Sequence, residues 1–277
     1  MKKLLLLLLL IPFNIFAQSI PFQLTPAGHI LVKAKIEGKE GNFIFDTGGG
    51  INLFFNNFAK DLSQQQTYNF FTAFRATGER IDCPIFYSKE ISFGGKSFKN
   101  MVYTTFDLKI NGIDGLISLP MLEDTDFIID YNQKQIILGE IKSTKNIKSF
   151  DIQLATQADN ATDIFTYVVL NGKYKIKVLL DSGAGSNSFW LSDKLIATLN
   201  LNKETLETIE KKSEFNANQI TKIYKGSIAS IANDYATVNN PKVHFIEGLI
   251  YEGKTSINWL GNKIGFSLKK KKIYILD

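Results

Sequence analysis

The sequence has very few of the residues that build disulfides and zinc sites. Among its 277 residues there is one cysteine, Cys83, which excludes an intrachain disulfide and any cluster of thiolate ligands. There are two histidines, His29 and His244, and neither has a second histidine or a cysteine at metal-ligand spacing. We therefore expect no metal ion and no cofactor in this protein.

The sequence also lacks an apolar run long enough to cross a membrane, which takes about 20 residues in a helix. Its strongly apolar stretch, residues 4–11, follows Lys2 and Lys3 and precedes a small residue, Ala17. This order is typical of a secretory signal peptide. We interpret residues 1–17 as a signal peptide. We expect an exported protein, periplasmic or secreted, with no stable membrane span after signal cleavage.

Concentrated positive charge is scarce. The net charge of +5 is spread thinly, apart from four lysines at residues 269–272. These lysines separate two segments with strand-like patterns, so we predict that they form a solvated turn. No segment interleaves basic and aromatic residues, and we therefore expect no nucleic-acid partner.

Strand-forming residues, in contrast, are abundant. A hydrophobic content of 44% is sufficient for a sizeable core. The 22 phenylalanines and 10 tyrosines favour strands over helices. Short apolar runs broken by turn residues continue through both halves of the chain. The sequence therefore predicts an all-β protein with few short helices.

Two copies of one short motif organise the chain. Apolar residues 43–45 lead into Asp46-Thr47-Gly48, and apolar residues 178–180 lead into Asp181-Ser182-Gly183 in the second half. A second shared segment follows each copy at nearly the same separation. These segments are Ile113-Asp114-Gly115-Leu116-Ile117 and Ile246-Glu247-Gly248-Leu249-Ile250. Recurrence in the same order predicts the duplication of one unit.

The motif has the residue types that could pair two carboxyl groups. A buried strand holds the acid at a fixed loop, the hydroxyl can hydrogen-bond across to another loop, and glycine lets a second backbone come close. Two such loops meeting at an approximate twofold axis would place Asp46 beside Asp181. Like charges that close cannot both ionise, so one proton is shared. Such a pair can hold a water, with one acid as general base and the other donating to a substrate carbonyl.

With these two motifs, the sequence resembles the retropepsin-like and pepsin-like aspartic peptidases, in a bacterial exported form with both lobes in one chain. The resemblance covers nearly the whole chain after the signal peptide. It implies two β-barrel lobes related by a pseudo-twofold axis, with Asp46 and Asp181 as the catalytic dyad in the cleft between them. It also implies a peptide or protein substrate.

The resemblance implies roles for the neighbours of the two acids as well. These roles are cross-linking of the two loops by Thr47 and Ser182, close backbone approach at Gly48 and Gly183, and a flap over the substrate at Ala76, Thr77 and Gly78.

The sequence departs from the family's pattern in the segments that pack beneath the two acids. Relatives carry a glycine there after an apolar pair, whereas this sequence has Ser118 and Tyr251. An alternative register for the second half uses Trp259-Leu260-Gly261 instead, and both registers remain open. The residue after the first motif is Gly49, which is looser than the small residue that the family prefers.

We expect a signal peptide at residues 1–17, an N-terminal lobe at residues 18–142, a polar linker region at residues 143–163 and a C-terminal lobe at residues 164–277. Because the two lobes pair within one chain, we expect a monomer.

The favoured function is that of an aspartic endopeptidase, which hydrolyses peptide bonds with a water activated between Asp46 and Asp181. The main alternative is a catalytically degenerate module of the same fold, which binds peptide or envelope polymer without cleaving it. Ser118, Tyr251 and Gly49 favour this alternative. A third interpretation, a structural envelope protein, would place the two acids far apart.

Overall fold

The alternation of short apolar runs with turn residues produces an all-β protein of two lobes, as the sequence predicts. The fold is known from a computed structural model, which describes residues 18–142, 147–157, 161–213, 216 and 218–277. For residues 66, 68, 69 and 71 it describes the backbone alone. The predicted signal peptide, residues 1–17, lies outside the described residues. Among the described residues, no helix is long and apolar enough to span a membrane.

The strands of the first half are β1 (Gln18–Leu24), β2 (Ile30–Ile36), β3 (Lys39–Asp46), β4 (Asn52–Phe55), β5 (Gln65–Phe74), β6 (Arg80–Phe93), β7 (Lys96–Phe106), β8 (Gly115–Ser118), β9 (Phe127–Asp130) and β10 (Gln135–Leu138). Those of the second half are β11 (Lys148–Asp151), β12 (Gln153–Gln157), β13 (Ala161–Leu170), β14 (Tyr174–Leu180), β15 (Phe189–Ser192), β16 (Glu207–Lys212), β17 (Ile220–Ser227), β18 (Ser230–Ala232), β19 (Thr237–Asn239), β20 (Lys242–Ile246), β21 (Gly253–Thr255), β22 (Lys263–Ser267) and β23 (Lys272–Ile275). Two short α-helices are α1 (Asn56–Ala59) and α2 (Leu195–Thr198).

The two halves share one sheet, in the strand order β1-β10-β9-β22-β23-β11. The pairing of β9 with β22 joins the halves, and it sets Phe127 opposite Phe266. The two rings stack with their centroids 4.8 Å apart, and both side chains are fully buried. Each half contributes its first strand and its last hairpin, so the sheet is symmetric about the β9–β22 pair. This shared sheet holds the two lobes in a fixed relation.

The strands of the two lobes follow the same order. It is β2-β3-β8-β4-β7-β6-β5 in the first lobe and β13-β14-β21-β15-β20-β17-β16 in the second. The parallel pairs β3–β8 and β4–β7 correspond to the parallel pairs β14–β21 and β15–β20. Corresponding strands can therefore be matched residue by residue, and the match identifies which features of the site belong to the repeat and which do not.

The predicted linker region, residues 143–163, is more regular in its described part than its polar sequence indicates. It contains β11, β12 and the start of β13. Within the described part of the chain, β11 is an edge strand that pairs with β23, and β12 is an edge strand that pairs with β13. Edge strands can carry exposed polar side chains, so they show little of the apolar pattern used to recognise a strand.

Three of the four lysines, residues 269–271, lie in the turn between β22 and β23, as predicted, and Lys272 is the first residue of β23.

Candidate active site

Each motif acid stands at the end of a strand in the interior of its lobe. β3 lies between β2 and β8, and it ends at Asp46. β14 lies between β13 and β21, and Asp181 follows its last residue. Residues 43–45 and 178–180 are all buried, so both faces of each strand are covered just before its acid, which accounts for the continuous apolar runs. Asp46 and Asp181 are themselves 9% and 5% exposed.

The hydroxyl groups of the two motifs cross-link the loops. Thr47 Oγ1 donates to the carbonyl oxygen of Leu180 at 2.8 Å, and Ser182 Oγ donates to that of Phe45 at 2.7 Å. Each hydroxyl also accepts from the backbone N–H of the other residue, at 3.0 Å in both cases. These four buried hydrogen bonds form a closed, symmetric ring. They fix the separation of the loops that carry the acids.

The motif glycines lie against the opposite acids. A β-carbon on Gly48 would be 2.7 Å from Asp181 Cγ, and one on Gly183 would be 2.5 Å from Asp46 Cγ. No side chain fits at either position without displacing a carboxyl group. The Gly48 N–H donates to Asp46 Oδ1 at 2.9 Å. The structure therefore brings the two predicted acids together and places each beside the backbone of the other lobe.

Asp181 has a partner that the sequence did not indicate. Lys254 on β21 donates to Asp181 Oδ2 at 2.7 Å, and the two side chains are 13% and 7% exposed. The ammonium group also lies over the ring of Trp190, 4.3 Å from its centroid. This is a largely buried ion pair within a cavity of about 350 Å³ that both acids line.

The pKa values of the two acids move in opposite directions. Burial raises the pKa of Asp46 well above its usual range, and the charge of Asp181 and a hydrogen bond with its carboxylate raise it further. Burial alone would raise the pKa of Asp181 too, but the charge and hydrogen bond of Lys254 lower it below its usual range. At intermediate pH the pair therefore carries one proton, on Asp46, and Asp181 is ionised.

Strand pairing corrects both registers considered for the second half. β8 runs parallel to β3 and sets Ser118 opposite Asp46, whereas β21 runs parallel to β14 and sets Thr255 opposite Leu180. Ser256 is therefore the counterpart of Ser118. Neither Tyr251 nor the Trp259-Leu260-Gly261 segment occupies that position. Ile246-Glu247-Gly248-Leu249-Ile250, taken as the repeat of residues 113–117, instead contains the end of β20 and a turn.

A pair of equivalent hydrogen bonds supports this register. Asp114 Oδ2 accepts from the backbone N–H of Asn42 at 2.8 Å, and Glu252 Oε2 accepts from that of Lys177 at 2.6 Å. Both donors lie four residues before the motif acid of their lobe. Lys254 thus occupies the position of Leu116 in the first lobe. Neither Asp114 nor Glu252 lines the cavity between the two acids.

Two hairpins cover the cleft. The predicted flap residues Ala76, Thr77 and Gly78 form the turn between β5 and β6, and Ala76 and Thr77 line the cavity of the two acids. The hairpin of β16 and β17 occupies the equivalent place in the second lobe and lines the same cavity.

The two hairpins are joined to each other across the cleft. The Ser213 hydroxyl accepts from Arg75 Nη1 at 3.0 Å and donates to Glu79 Oε2 at 2.5 Å. The flap is also bonded to the loop between β20 and β21, where the Ile250 N–H donates to the Ala76 carbonyl at 3.0 Å. The hairpins therefore meet, and a substrate must part them or pass beneath them.

The loop cross-link carries a prediction about stability. Thr47→Val keeps the shape of the side chain but leaves the Leu180 carbonyl and the Ser182 N–H buried without partners. We expect it to lower the free energy of unfolding by about 2–5 kcal/mol, measured by urea denaturation. The matched control, Thr208→Val on the exposed strand β16, should change it by less than about 0.5 kcal/mol. Equal effects of the two variants would show that the ring does not stabilise the fold.

Comparison with known proteins bears on the first of the two motifs. Residues 32–121 match the family model described as Aspartyl protease. The matched segment contains Asp46-Thr47-Gly48, β8 and the predicted flap, and it ends before the second motif. No curated protein matches the sequence.

The fold is similar to that of solved structures. A chain titled "Crystal structure of edgp" superposes with a TM-score of 0.50 and 8% sequence identity, over 92% of this chain and 93% of that chain. At so low an identity the similarity concerns the fold alone. The aspartyl protease match and the fold therefore agree on an aspartic-protease-like architecture.

Within the described part of the chain, no group of three or more His, Cys, Asp or Glu side chains is arranged to hold a metal ion.

Proposed function

We propose that this protein is an aspartic endopeptidase that hydrolyses peptide bonds with a water molecule activated between Asp46 and Asp181. One observation carries the proposal. The two acids come from different lobes, each lies against the motif glycine of the other lobe, and their pKa values are shifted in opposite directions in one cleft. A pair of titratable groups whose environments separate their pKa values is the arrangement that acid–base catalysis requires.

The protonation states assign a role to each acid. Asp181, kept ionised by Lys254, accepts a proton from the water and acts as general base. Asp46, which holds the shared proton, donates to the carbonyl oxygen of the scissile bond and stabilises the charge that develops there. As the C–N bond breaks, the proton taken up by Asp181 passes to the leaving amine, and a hydroxyl of the tetrahedral intermediate returns a proton to Asp46. No bond between enzyme and substrate forms in this scheme.

The cleft accounts for the substrate class. Its two covering hairpins provide backbone donors and acceptors along an extended chain, which is how an edge strand recognises a peptide. The signal-peptide pattern of residues 1–17 supports activity outside the cytoplasm, on peptide or protein substrates. We propose that the protein acts as a monomer, because the shared sheet already joins the two lobes of one chain.

A module that binds peptide without cleaving it is the second candidate function. The ion pair of Lys254 with Asp181 favours it, because an ammonium group neutralises the general base. The joined hairpins favour it too, because they cover the acids in the absence of substrate.

A peptide-library experiment separates the two candidates. The protein is incubated with a mixed peptide library between mildly acidic and neutral pH, and new termini are identified by mass spectrometry. We expect cleavage within the peptides, and we expect a hydroxyl-bearing transition-state mimic of the peptide bond to suppress it. Retention of library peptides without new termini at any pH would refute the peptidase and establish the binding module.

A further inference from the structure

A second cavity of about 390 Å³ lies beside the two acids. It begins at the loop of the first motif, Gly48 to Gly50, and passes between Phe74 of the flap strand β5 and Tyr251. Gly48, Phe74 and Tyr251 also line the cavity that contains Asp46 and Asp181. The two cavities are therefore adjacent, and a chain lying across the acids reaches the second one within a residue or two.

One charged side chain, that of Asp163 on β13, lies among the described residues that line this second cavity. It is half-buried, and within the described part of the chain it forms no ion pair. Its Oδ1 faces the loop of the first motif, 3.7 Å from the position of a β-carbon on Gly50. Burial and the nearby charge of Asp181 raise its pKa to about 7. A half-buried carboxylate without a cation is unfavourable until a cation reaches it.

The symmetry of the lobes shows that the fold does not require an acid at this position. In the first lobe Leu31 pairs with Ile44, and in the second lobe Phe165 pairs with Leu179. Ile44 and Leu179 each lie two residues before the motif acid of their lobe, so Leu31 and Phe165 are counterparts. Counting back two residues from Leu31 and Phe165 makes His29 the counterpart of Asp163.

His29 faces its own motif loop as Asp163 does. Its Nε2 lies 3.6 Å from the position of a β-carbon on Gly185, which is the counterpart of Gly50. Its Nδ1 is bonded to Thr25 Oγ1 at 3.1 Å, however, so the histidine is held within its own lobe. Two equivalent positions thus flank the acids, and an acid without a cation stands at one of them.

The walls of the second cavity suit a long basic side chain. Phe74 is 54% exposed and presents its ring to the cavity, and Tyr251 is held from behind by Phe165, with ring centroids 5.5 Å apart. Aromatic walls accept the methylene stem of lysine or arginine and attract its cationic head. On the other side of Tyr251, the cavity of the two acids is lined by Lys211, Lys212 and Lys254. A basic substrate group is therefore repelled from that side and attracted to Asp163.

We propose that the cavity between Gly50, Phe74 and Tyr251 is a binding site for the lysine or arginine side chain of a peptide substrate, with Asp163 as the group that selects its charge. The inference deepens the proposed function and rests on it for its effect on cleavage. The side chain bound there belongs to a residue close to the scissile bond, because the site adjoins the two acids. Asp163 acts as a specificity-determining residue and takes no part in the proton transfers.

The first test measures cleavage. Peptides identical except at one position carry arginine, lysine, norleucine or glutamate there, and the position is moved stepwise along the peptide. At one position we expect arginine and lysine to exceed norleucine in kcat/KM by roughly ten- to a hundred-fold, the range of a charge-assisted hydrogen bond. Asp163→Asn should lower kcat/KM for the arginine and lysine peptides far more than for the norleucine peptide, and so abolish this preference. The control Asp61→Asn, an exposed acid paired with Lys39, should keep the preference.

The second test does not depend on cleavage. Binding of n-butylguanidinium to the intact protein is followed by chemical shifts or by thermal stabilisation, with n-butanol as the neutral probe. We expect the cation to bind wild type and Asp61→Asn, and not Asp163→Asn. Cleavage without preference for a basic residue, or binding of the cation unaffected by Asp163→Asn, would overturn the inference. Absence of cleavage together with Asp163-dependent binding would refute the peptidase and leave the basic site in place.

Discussion

Asp46→Asn is expected to lower kcat for peptide cleavage by roughly a thousand-fold or more, the contribution of a positioned general acid. The fold should be unaffected, because the amide has the shape of the carboxyl group and its oxygen can still accept from the Gly48 N–H. Asp46 already carries the shared proton, so the change removes no negative charge from the site. The measurement is kcat on a single cleaved peptide, with the urea midpoint determined on the same preparation.

Two other variants sharpen this result. Asp61→Asn makes the same change at an exposed acid and should leave kcat unchanged. Asp181→Asn should abolish cleavage equally, but it should also destabilise the protein by about 3 kcal/mol or more, because it leaves the buried Lys254 ammonium without a counter-charge. Full activity in Asp46→Asn or Asp181→Asn would exclude the two-acid mechanism. Equal stability of the two variants would exclude the protonation states assigned to the pair.

The two motifs and their cross-link could be predicted from the sequence because they are local patterns. Apolar residues before an acid indicate a buried strand end, and a hydroxyl followed by glycine indicates a loop that another backbone can approach. Thr47 and Ser182 make the reciprocal bonds expected of them, and Gly48 and Gly183 lie against the opposite acids. A repeated local pattern also predicted two similar lobes, which the matching strand orders confirm.

The segment beneath the second acid could not be predicted, because its residues lack the apolar pattern that the corresponding segment of the first lobe has. β8 reads as apolar at Leu116 and Ile117, whereas β21 has Lys254 and Thr255 at the same positions. Ile246 to Ile250 resembles the first segment more closely in sequence, and it gave the wrong register. The strand was unrecognisable for the same reason that the site is unusual, since a lysine that pairs with an acid stands where the first lobe has Leu116, a partly buried leucine that lines the cleft.

Contacts between the two lobes could not be predicted from the sequence either. The pairing of β9 with β22, the meeting of Ser213 with Arg75 and the position of Asp163 at the first motif loop all join residues from distant parts of the chain. Each depends on how the two lobes pack, and packing leaves no periodic pattern in either partner. Ser118 and Tyr251, the two departures from the family's pattern, do not occupy equivalent positions in the two lobes. Ser118 Oγ donates to the Ile51 carbonyl at 2.9 Å, and Tyr251 lines the cleft.

Lys254 breaks the symmetry of an otherwise symmetric pair of acids. Its counterpart Leu116 places no charge near Asp46, so within the described part of the chain a cation contacts Asp181 and none contacts Asp46. The catalytic state requires one proton on the pair, and this state exists between the lowered pKa of Asp181 and the raised pKa of Asp46. Activity should therefore disappear as the pH falls through the pKa of Asp181 and as it rises through the pKa of Asp46. By lowering the pKa of Asp181, Lys254 extends the pH range of activity to lower pH.

Lys254→Leu, which installs the residue of the first lobe, should move the acidic limb of the kcat/KM profile upward by about one to three pH units, the usual effect of an adjacent cation on a carboxylate. The alkaline limb should move upward too, but less, because Lys254 also lowers the pKa of Asp46 without contacting it. At a pH near the original acidic limb the variant should lose most of its activity, and at higher pH it should recover. The measurement is the full pH profile on one peptide.

Two controls separate charge from packing in this experiment. Lys254→Arg keeps the positive charge and should keep the acidic limb in place, whereas a lost packing contact alone would reduce activity equally at every pH. Lys203→Leu makes the same substitution at an exposed lysine that pairs with Asp193, and it should move neither limb. If Lys254→Leu leaves both limbs where they are, the ion pair does not set the protonation of the acids. The general base would then have to be assigned from another observation.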